Sequence, residues 1–187
     1  MHYPNNINKQ YTKLEVSHKN RGMNLENSIN ISNEYYLKND IALIYKKPTP
    51  IGIVDVSYLN DKKIITKAYF KEPSTLDYNG LYKGKYIEFD AKETLNKTSF
   101  PLSNIHEHQT KHIRNVIKHQ GIVFLIIKMN DIVYLLTGED YISYIDSNDR
   151  KSIEYKYIQE KAYPIKEGYT LPLNYLDIVD KIYLKGE

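Results

Sequence analysis

At 187 residues, with 41% hydrophobic and 26% charged side chains, the chain fits one domain large enough to bury its own core. It has no cysteine, which excludes a disulfide framework and any thiolate metal site, and its longest apolar stretch, Ile122 to Ile127, is far short of the roughly 18 residues a membrane span needs. Net charge is +3 but uneven: residues 1–120 carry 18 Lys+Arg against 12 Asp+Glu and residues 121–187 carry 8 against 11, so a phosphate-binding surface is expected in the first two thirds.

Residues 1–20 are polar and aperiodic, and are expected to form a flexible segment ahead of a single domain over 21–187. Their start, MHYPNNINKQ, lacks the apolar core of a secretory signal, so a cytoplasmic location is expected. Met23, Leu25, Ile29, Tyr36 and Leu37 predict an amphipathic helix ended by Asn39-Asp40. Ile41 to Tyr45 reads as a short buried strand, stopped by Lys46-Lys47-Pro48-Thr49-Pro50. Two strand-like runs follow, Ile51–Tyr58 and Ile64–Phe70, joined by the turn Leu59-Asn60-Asp61-Lys62. Entered through Pro-Thr-Pro and left through Pro73-Ser74, this hairpin reads as a projecting arm, with Lys62, Lys63, Lys67 and Lys71 making its far part basic. An ordinary edge hairpin is the alternative.

A second hairpin is predicted from Leu76–Tyr82 and Lys85–Thr94 around Lys83-Gly84, with Gly80 and Gly84 read as turn glycines. A polar, His-rich helix over 104–118 offers Ile105, His112, Ile113, Val116 and Ile117 for packing. Strands Ile122–Met129 and Ile132–Leu136 flank Asn130-Asp131, and a short strand is expected near Tyr141–Ile145. Short helices are expected near Tyr155–Glu160 and Tyr175–Tyr183.

The chemistry concentrates in Lys85-Tyr86-Ile87-Glu88-Phe89-Asp90-Ala91-Lys92-Glu93-Thr94. Alternate strand residues share a face, so Ile87, Phe89 and Ala91 point to the core while Glu88, Asp90 and Lys92 line up opposite. Pairing across the hairpin brings Asp77 towards Asp90. Two carboxylates, waters and a phosphate are what Mg²⁺ prefers; such an ion acidifies a water and polarises the phosphate. Lys92, on the same face, is placed to stabilise a developing negative charge. The plainer reading makes these three residues the solvated face of an edge strand.

The arrangement Asp77…Asp90-Ala91-Lys92 resembles the PD-(D/E)XK nucleases. With Asn20-Arg21-Gly22-Met23, Lys46-Lys47-Pro48-Thr49-Pro50, Ala68-Tyr69-Phe70, Asp77-Tyr78-Asn79-Gly80, Ala91-Lys92-Glu93-Thr94 and Asn96-Lys97-Thr98-Ser99-Phe100-Pro101-Leu102, the chain is similar to the RecU family of Holliday-junction resolvases. The resemblance implies an α/β, restriction-endonuclease-like mixed sheet flanked by helices, with a stalk hairpin over about 47–72. It implies a homodimer that nicks four-way junction DNA in the bacterial cytoplasm, with a RecA-type recombinase as a possible partner. It further implies that Thr75, Asp77, Asp90 and Gln109 surround Mg²⁺ (or Mn²⁺) and that Lys92 stabilises the transition state. One departure stands out: the family usually has Asp-Phe-Glu-Ala-Lys where this chain has Glu88-Phe89-Asp90-Ala91-Lys92. Glu88 is then expected to be solvated or to support the site from outside.

DNA contacts are expected from Arg21, Lys46, Lys47, Lys62, Lys63, Lys67 and Lys71, with Phe70, joined by Tyr69, wedging against unstacked bases. The alternative for Phe70 is a core position at the arm's base. His106-Glu107-His108-Gln109-Thr110 fails the HExxH zinc pattern, because Thr110 stands where the second His belongs. The rival functions are a nuclease for linear duplex and a non-catalytic junction-binding protein that modulates a recombinase.

Overall fold

A computed structural model describes residues 24–71 and 75–184. The expected 1–20 segment, Arg21, Met23 and Pro73-Ser74 lie outside the described residues. Helix α1 (Leu25–Lys38) starts where the Asn24 side chain accepts from the Asn27 N–H at 2.8 Å. Strand β1 (Leu43–Lys46) leads to β2 (Ile51–Leu59) and β3 (Lys62–Phe70). These two pair only with each other, as a two-stranded sheet apart from the main one. Every residue of β3 is exposed, and of β2 only Gly52 is buried. The hairpin is therefore a projecting stalk and not an edge of the core. Its turn places Asn60 and Asp61 at φ 49° and 60°, the left-handed pair that matches strand twist in two-residue loops.

Strands β4 (Tyr78–Tyr82) and β5 (Lys85–Glu93) follow, then β6 (Ser99–Pro101), a 3₁₀ turn over Leu102–Asn104 and helix α2 (Glu107–Lys118). Next come β7 (Ile122–Met129), β8 (Ile132–Thr137), α3 (Gly138–Ser147), β9 (Ser152–Glu154), α4 (Tyr155–Lys161), β10 (Tyr163–Pro164) and α5 (Leu176–Tyr183). The main sheet runs β1-β4-β5-β7-β8-β10. Only β5 and β7 are parallel, joined through α2, as a parallel pair requires a crossover.

Alternation in β7 divides the core. Phe124 and Ile126 face a cluster with Leu25, Ile29, Tyr36, Tyr175 and Val179 from α1 and the chain around α5. Val123, Leu125 and Ile127 face the opposite cluster, which holds Ile113 of α2, Tyr141 of α3 and Ile158 of α4. On the first face Tyr78, Phe89 and Phe124, direct partners across β4, β5 and β7, stack at 4.8 Å between successive rings. Both faces of the central strands are thus covered, which decides the environment of the site.

Three expectations need correction. Tyr141–Ile145 is helix, not strand: Thr137 caps α3 by accepting from the Asp140 N–H at 3.1 Å, and Tyr141 and Tyr144 bury one helical face. The short apolar run fitted either period. Gly80 is not a turn glycine but lies inside β4, where a Cβ would sit 1.9 Å from the Leu43 carbonyl oxygen of β1. The helix expected over 104–118 begins at Glu107, because the 3₁₀ turn takes up the residues before it. The β6–β9 pair was not anticipated; each strand is only three residues long.

Candidate active site

Register assembles the site. Tyr78 pairs with Phe89, so Asp77 stands just outside β4, beside Asp90. Phe89 belongs to the α1 face, whereas Glu88 and Asp90 turn towards α2. The predicted alternation holds for this acidic face, but the face is covered: both carboxylates have no exposed surface. The solvated-face reading of Glu88 and Asp90 is therefore wrong, and for Glu88 the expectation of solvation fails. Ala91 is only partly buried.

Asp90 Oδ2 accepts from Gln109 Nε2 at 2.5 Å and lies 3.1 Å from Lys92 Nζ. Its Oδ1 accepts from the Ala91 N–H at 2.7 Å. Burial pushes the Asp90 carboxyl up to about 6; Lys92 opposes the rise, and Asp77 adds to it by charge and by a side-chain hydrogen bond. Gln109 is itself fixed at the start of α2, where its Oε1 accepts from the His106 N–H at 3.0 Å. Thr75 Oγ1 accepts from Lys47 Nζ at 2.9 Å. Asp77, Asp90, Lys92 and Gln109 are thus gathered at one end of β5, with Thr75 at the margin.

Glu88 supports a second constellation that sequence reasoning missed. It accepts from the Lys47 ammonium, from the Leu76 N–H at 3.3 Å, and from Tyr86 Oη and His112 Nε2, each at 2.7 Å. Burial alone would raise its pKa; the hydrogen bonds of Lys47, His112 and Tyr86 together outweigh it and hold the carboxyl below the usual value. His112, expected as a packing residue, is bound to a carboxylate instead. The shared face of Glu88 and Asp90 was the one available signal; the partners lie 41 and 24 residues away in the chain.

The expected DNA-binding residues divide. Lys46 pairs with Glu26 at 2.5 Å at the surface, where it stays accessible to phosphate, whereas the Lys47 ammonium is turned inward onto the buried Glu88. Lys62 and Lys63 lie at the stalk tip, Lys67 stands opposite Asp55, and the Lys71 N–H donates to the Pro50 carbonyl at the base. The basic residues therefore run along the returning side of the stalk and are not confined to its far part. Phe70 is 81% exposed, which excludes the core position. Arg21 lies outside the described residues.

No group of three or more His, Cys, Asp or Glu suited to a metal occurs among the described residues. No described helix is long and apolar enough to cross a membrane.

The family model "Recombination protein U" matches residues 20–181. The Holliday junction resolvase RecU of Bacillus subtilis (strain 168) is 49% identical over 175 residues, covering 91% of this chain and 85% of the relative. The Holliday junction resolvase RecU of Oceanobacillus iheyensis is 47% identical over 195 residues, covering 98% and 100%. That of Bacillus cytotoxicus is 45% identical over 194 residues, covering 97% of each. Matches that run from before the first described helix into the last one, over a buried Asp90-x-Lys92 strand and a projecting stalk, establish that this chain belongs to the RecU family.

Proposed function

We propose that this chain is an endonuclease that hydrolyses phosphodiester bonds at four-way DNA junctions, in recombination and repair in the bacterial cytoplasm, as a homodimer dependent on Mg²⁺ or Mn²⁺. The observation that carries the reading is the buried Asp90, flanked by Asp77, Lys92 and Gln109, on the sheet from which an exposed basic stalk projects. The resolvase names of relatives matched over nearly the whole chain support the same substrate.

The donor set fits Mg²⁺. Asp77 and Asp90 supply hard oxygens on neighbouring elements, and so small a protein ligand set suits an ion that keeps several waters. Asp77 and Asp90 would hold the ion, with Thr75 and Gln109 beside them. When bound there, a divalent cation supplies Lewis acidity towards the scissile phosphate and a more acidic water.

The chain's own residues do the remaining work. Lys92 Nζ lies 3.1 Å from Asp90, where it can stabilise charge that develops on the phosphate oxygens. Gln109 fixes the Asp90 carboxylate through an amide that is itself locked by the N-terminus of α2. Lys62, Lys63, Lys67 and Lys71 give the stalk a basic side for junction arms, and Phe70, with Tyr69, offers exposed rings to unstacked bases. Two copies about a two-fold axis present two such sites to opposing strands, which suits symmetric nicking. A RecA-type recombinase is the proposed protein partner.

The test is cleavage of a mobile four-way junction and of a matched linear duplex with Mg²⁺, comparing wild type with Asp90→Ala. Paired nicks selective for the junction and lost in the variant are the expected result. Binding without cutting would replace the enzyme with a non-catalytic scaffold, and equal cutting of both DNAs would replace the resolvase with a general nuclease.

A further inference from the structure

Glu88 draws its four donors from four separate parts of the chain, and its two oxygens face different ones. Oε1 takes the Lys47 ammonium and the Leu76 N–H. Lys47 lies on the incoming side of the stalk, one residue after β1, and Leu76 lies on the returning side, just before β4. The two roots are drawn together further, since Lys47 Nζ also donates to Thr75 Oγ1 at 2.9 Å and the Lys47 N–H donates to the Asp77 carbonyl at 2.7 Å. Oε2 takes His112 of α2 and the Tyr86 hydroxyl. One helical turn before His112, Gln109 holds Asp90. Contacts therefore run from the stalk roots through Lys47 and Glu88 to His112, and helix α2 links His112 to Gln109 and so to the Asp90 carboxylate.

A buried ion pair is weak evidence for stability, because desolvation offsets much of the attraction; its value here lies in direction. An apolar side chain could fill the same volume, but it could not orient an ammonium, an amide, a phenol and an imidazole at once.

We propose that Glu88 is a positioning residue that locks the stalk roots to helix α2, so that a junction seated on the stalk presents its scissile phosphate in a fixed relation to Asp90 and Lys92. The proposal rests on the junction-resolving reading above. Misplacement by about 1 Å can cost on the order of 100-fold in rate, so a loosened lock acts on the rate of cutting and not on capture of the DNA. Junctions are affected more than linear duplex, because only a branched DNA is placed by the stalk.

The experiment uses the full chain with Mg²⁺ and compares wild type with Glu88→Gln, Lys47→Met, the double variant and His112→Asn. Single-turnover cleavage of a four-way junction and a linear duplex is measured at saturating protein, with junction Kd measured separately without divalent cation. Melting curves establish that each variant is folded; should Glu88→Gln fail to fold, Lys47→Met and His112→Asn test the two sides of the lock.

The expected result is at least a tenfold fall in the ratio of junction to duplex cleavage, located in the rate constant and not in Kd. The double variant should be no worse than the poorer single one, since both break the same contact. A ratio that stays within twofold of wild type, with both rates lowered alike, would reduce Glu88 to a structural role and overturn the proposal. Multiplying single effects would do the same. So would a Lys47→Met loss that appears in Kd with a salt dependence lower by about one phosphate contact, which would make Lys47 a DNA ligand. A wild-type protein without junction preference overturns the resolvase reading itself, a result visible before any variant is compared.

Discussion

Two pockets sit two residues apart on β5, and each holds a carboxylate with no exposed surface. The Glu88 pocket supplies donors from Lys47, Leu76, Tyr86 and His112, and its acid is held below the usual range. The Asp90 pocket supplies Lys92, one amide and one main-chain N–H, sets Asp77 against them, and pushes its acid up to about 6. Neither carboxylate is exposed, but Asp90 lies deeper in the protein, and what separates them is that depth together with the count of donors and the sign of the neighbouring charge. Glu88 is compensated by the fold, whereas Asp90 is left short of positive charge, a state that a cation relieves.

The largest effect expected from breaking this contrast is at Glu88. Glu88→Ala strands a partly buried lysine and histidine, and should lower unfolding free energy by on the order of 3–5 kcal/mol in urea melts. Next comes the chemistry. Asp90→Ala or Lys92→Ala should reduce junction cleavage by on the order of 10²–10³-fold; Asp90→Ala should leave the melting temperature close to or above that of wild type, whereas Lys92→Ala, which takes the ammonium away from the buried Asp90, should lower it.

The third prediction has the opposite sign. A carboxyl whose pKa is higher in the folded state adds no penalty below its unfolded value and loses stability as pH rises through the folded one. Without divalent cation, Asp90→Asn should therefore be more stable than wild type by on the order of 1–3 kcal/mol at pH 8, with the gap closing as pH falls from about 6 towards 4. Mg²⁺ should raise the melting temperature of wild type and not of Asp90→Asn. Equal Mg²⁺ shifts in both proteins would place the ion elsewhere.

The smallest effect is at Tyr86. Tyr86→Phe removes one of four donors and should cost about 1 kcal/mol at neutral pH. Glu88 has a lowered pKa, so its stabilisation is present above the unfolded value and is lost as pH falls through the folded one. Losing the Tyr86 donor should therefore move the acid-unfolding midpoint upward.

Much of this was legible in the sequence, and for identifiable reasons. Local signals carried the α/β order: turn dipeptides, apolar periods and the face-sharing of Glu88, Asp90 and Lys92 all reside within a few residues. The Asp77–Asp90 meeting followed from the two-residue turn between their strands. The burial of Glu88 did not, because it depends on a helix packing over the strand and on partners far away in the chain. Lys46 and Lys47 look alike in sequence, yet one meets Glu26 at the surface and the other a buried acid, a difference only tertiary structure decides. Tyr141–Ile145 was misread because five residues are too few to separate a period of two from one of 3.6.

The tight turn at Lys83-Gly84, with φ 47° and 75°, fixes the strand register that sets Tyr78 opposite Phe89. Loop length there is a ruler. A single inserted residue would slide β4 by one place against β5, bringing the Tyr78 ring towards the carboxylate face and carrying Asp77 away from Asp90. Across evolutionary time this turn should keep residues that tolerate a positive φ and should accept changes of length hardly at all, so that insertions accumulate at the stalk tip and not here.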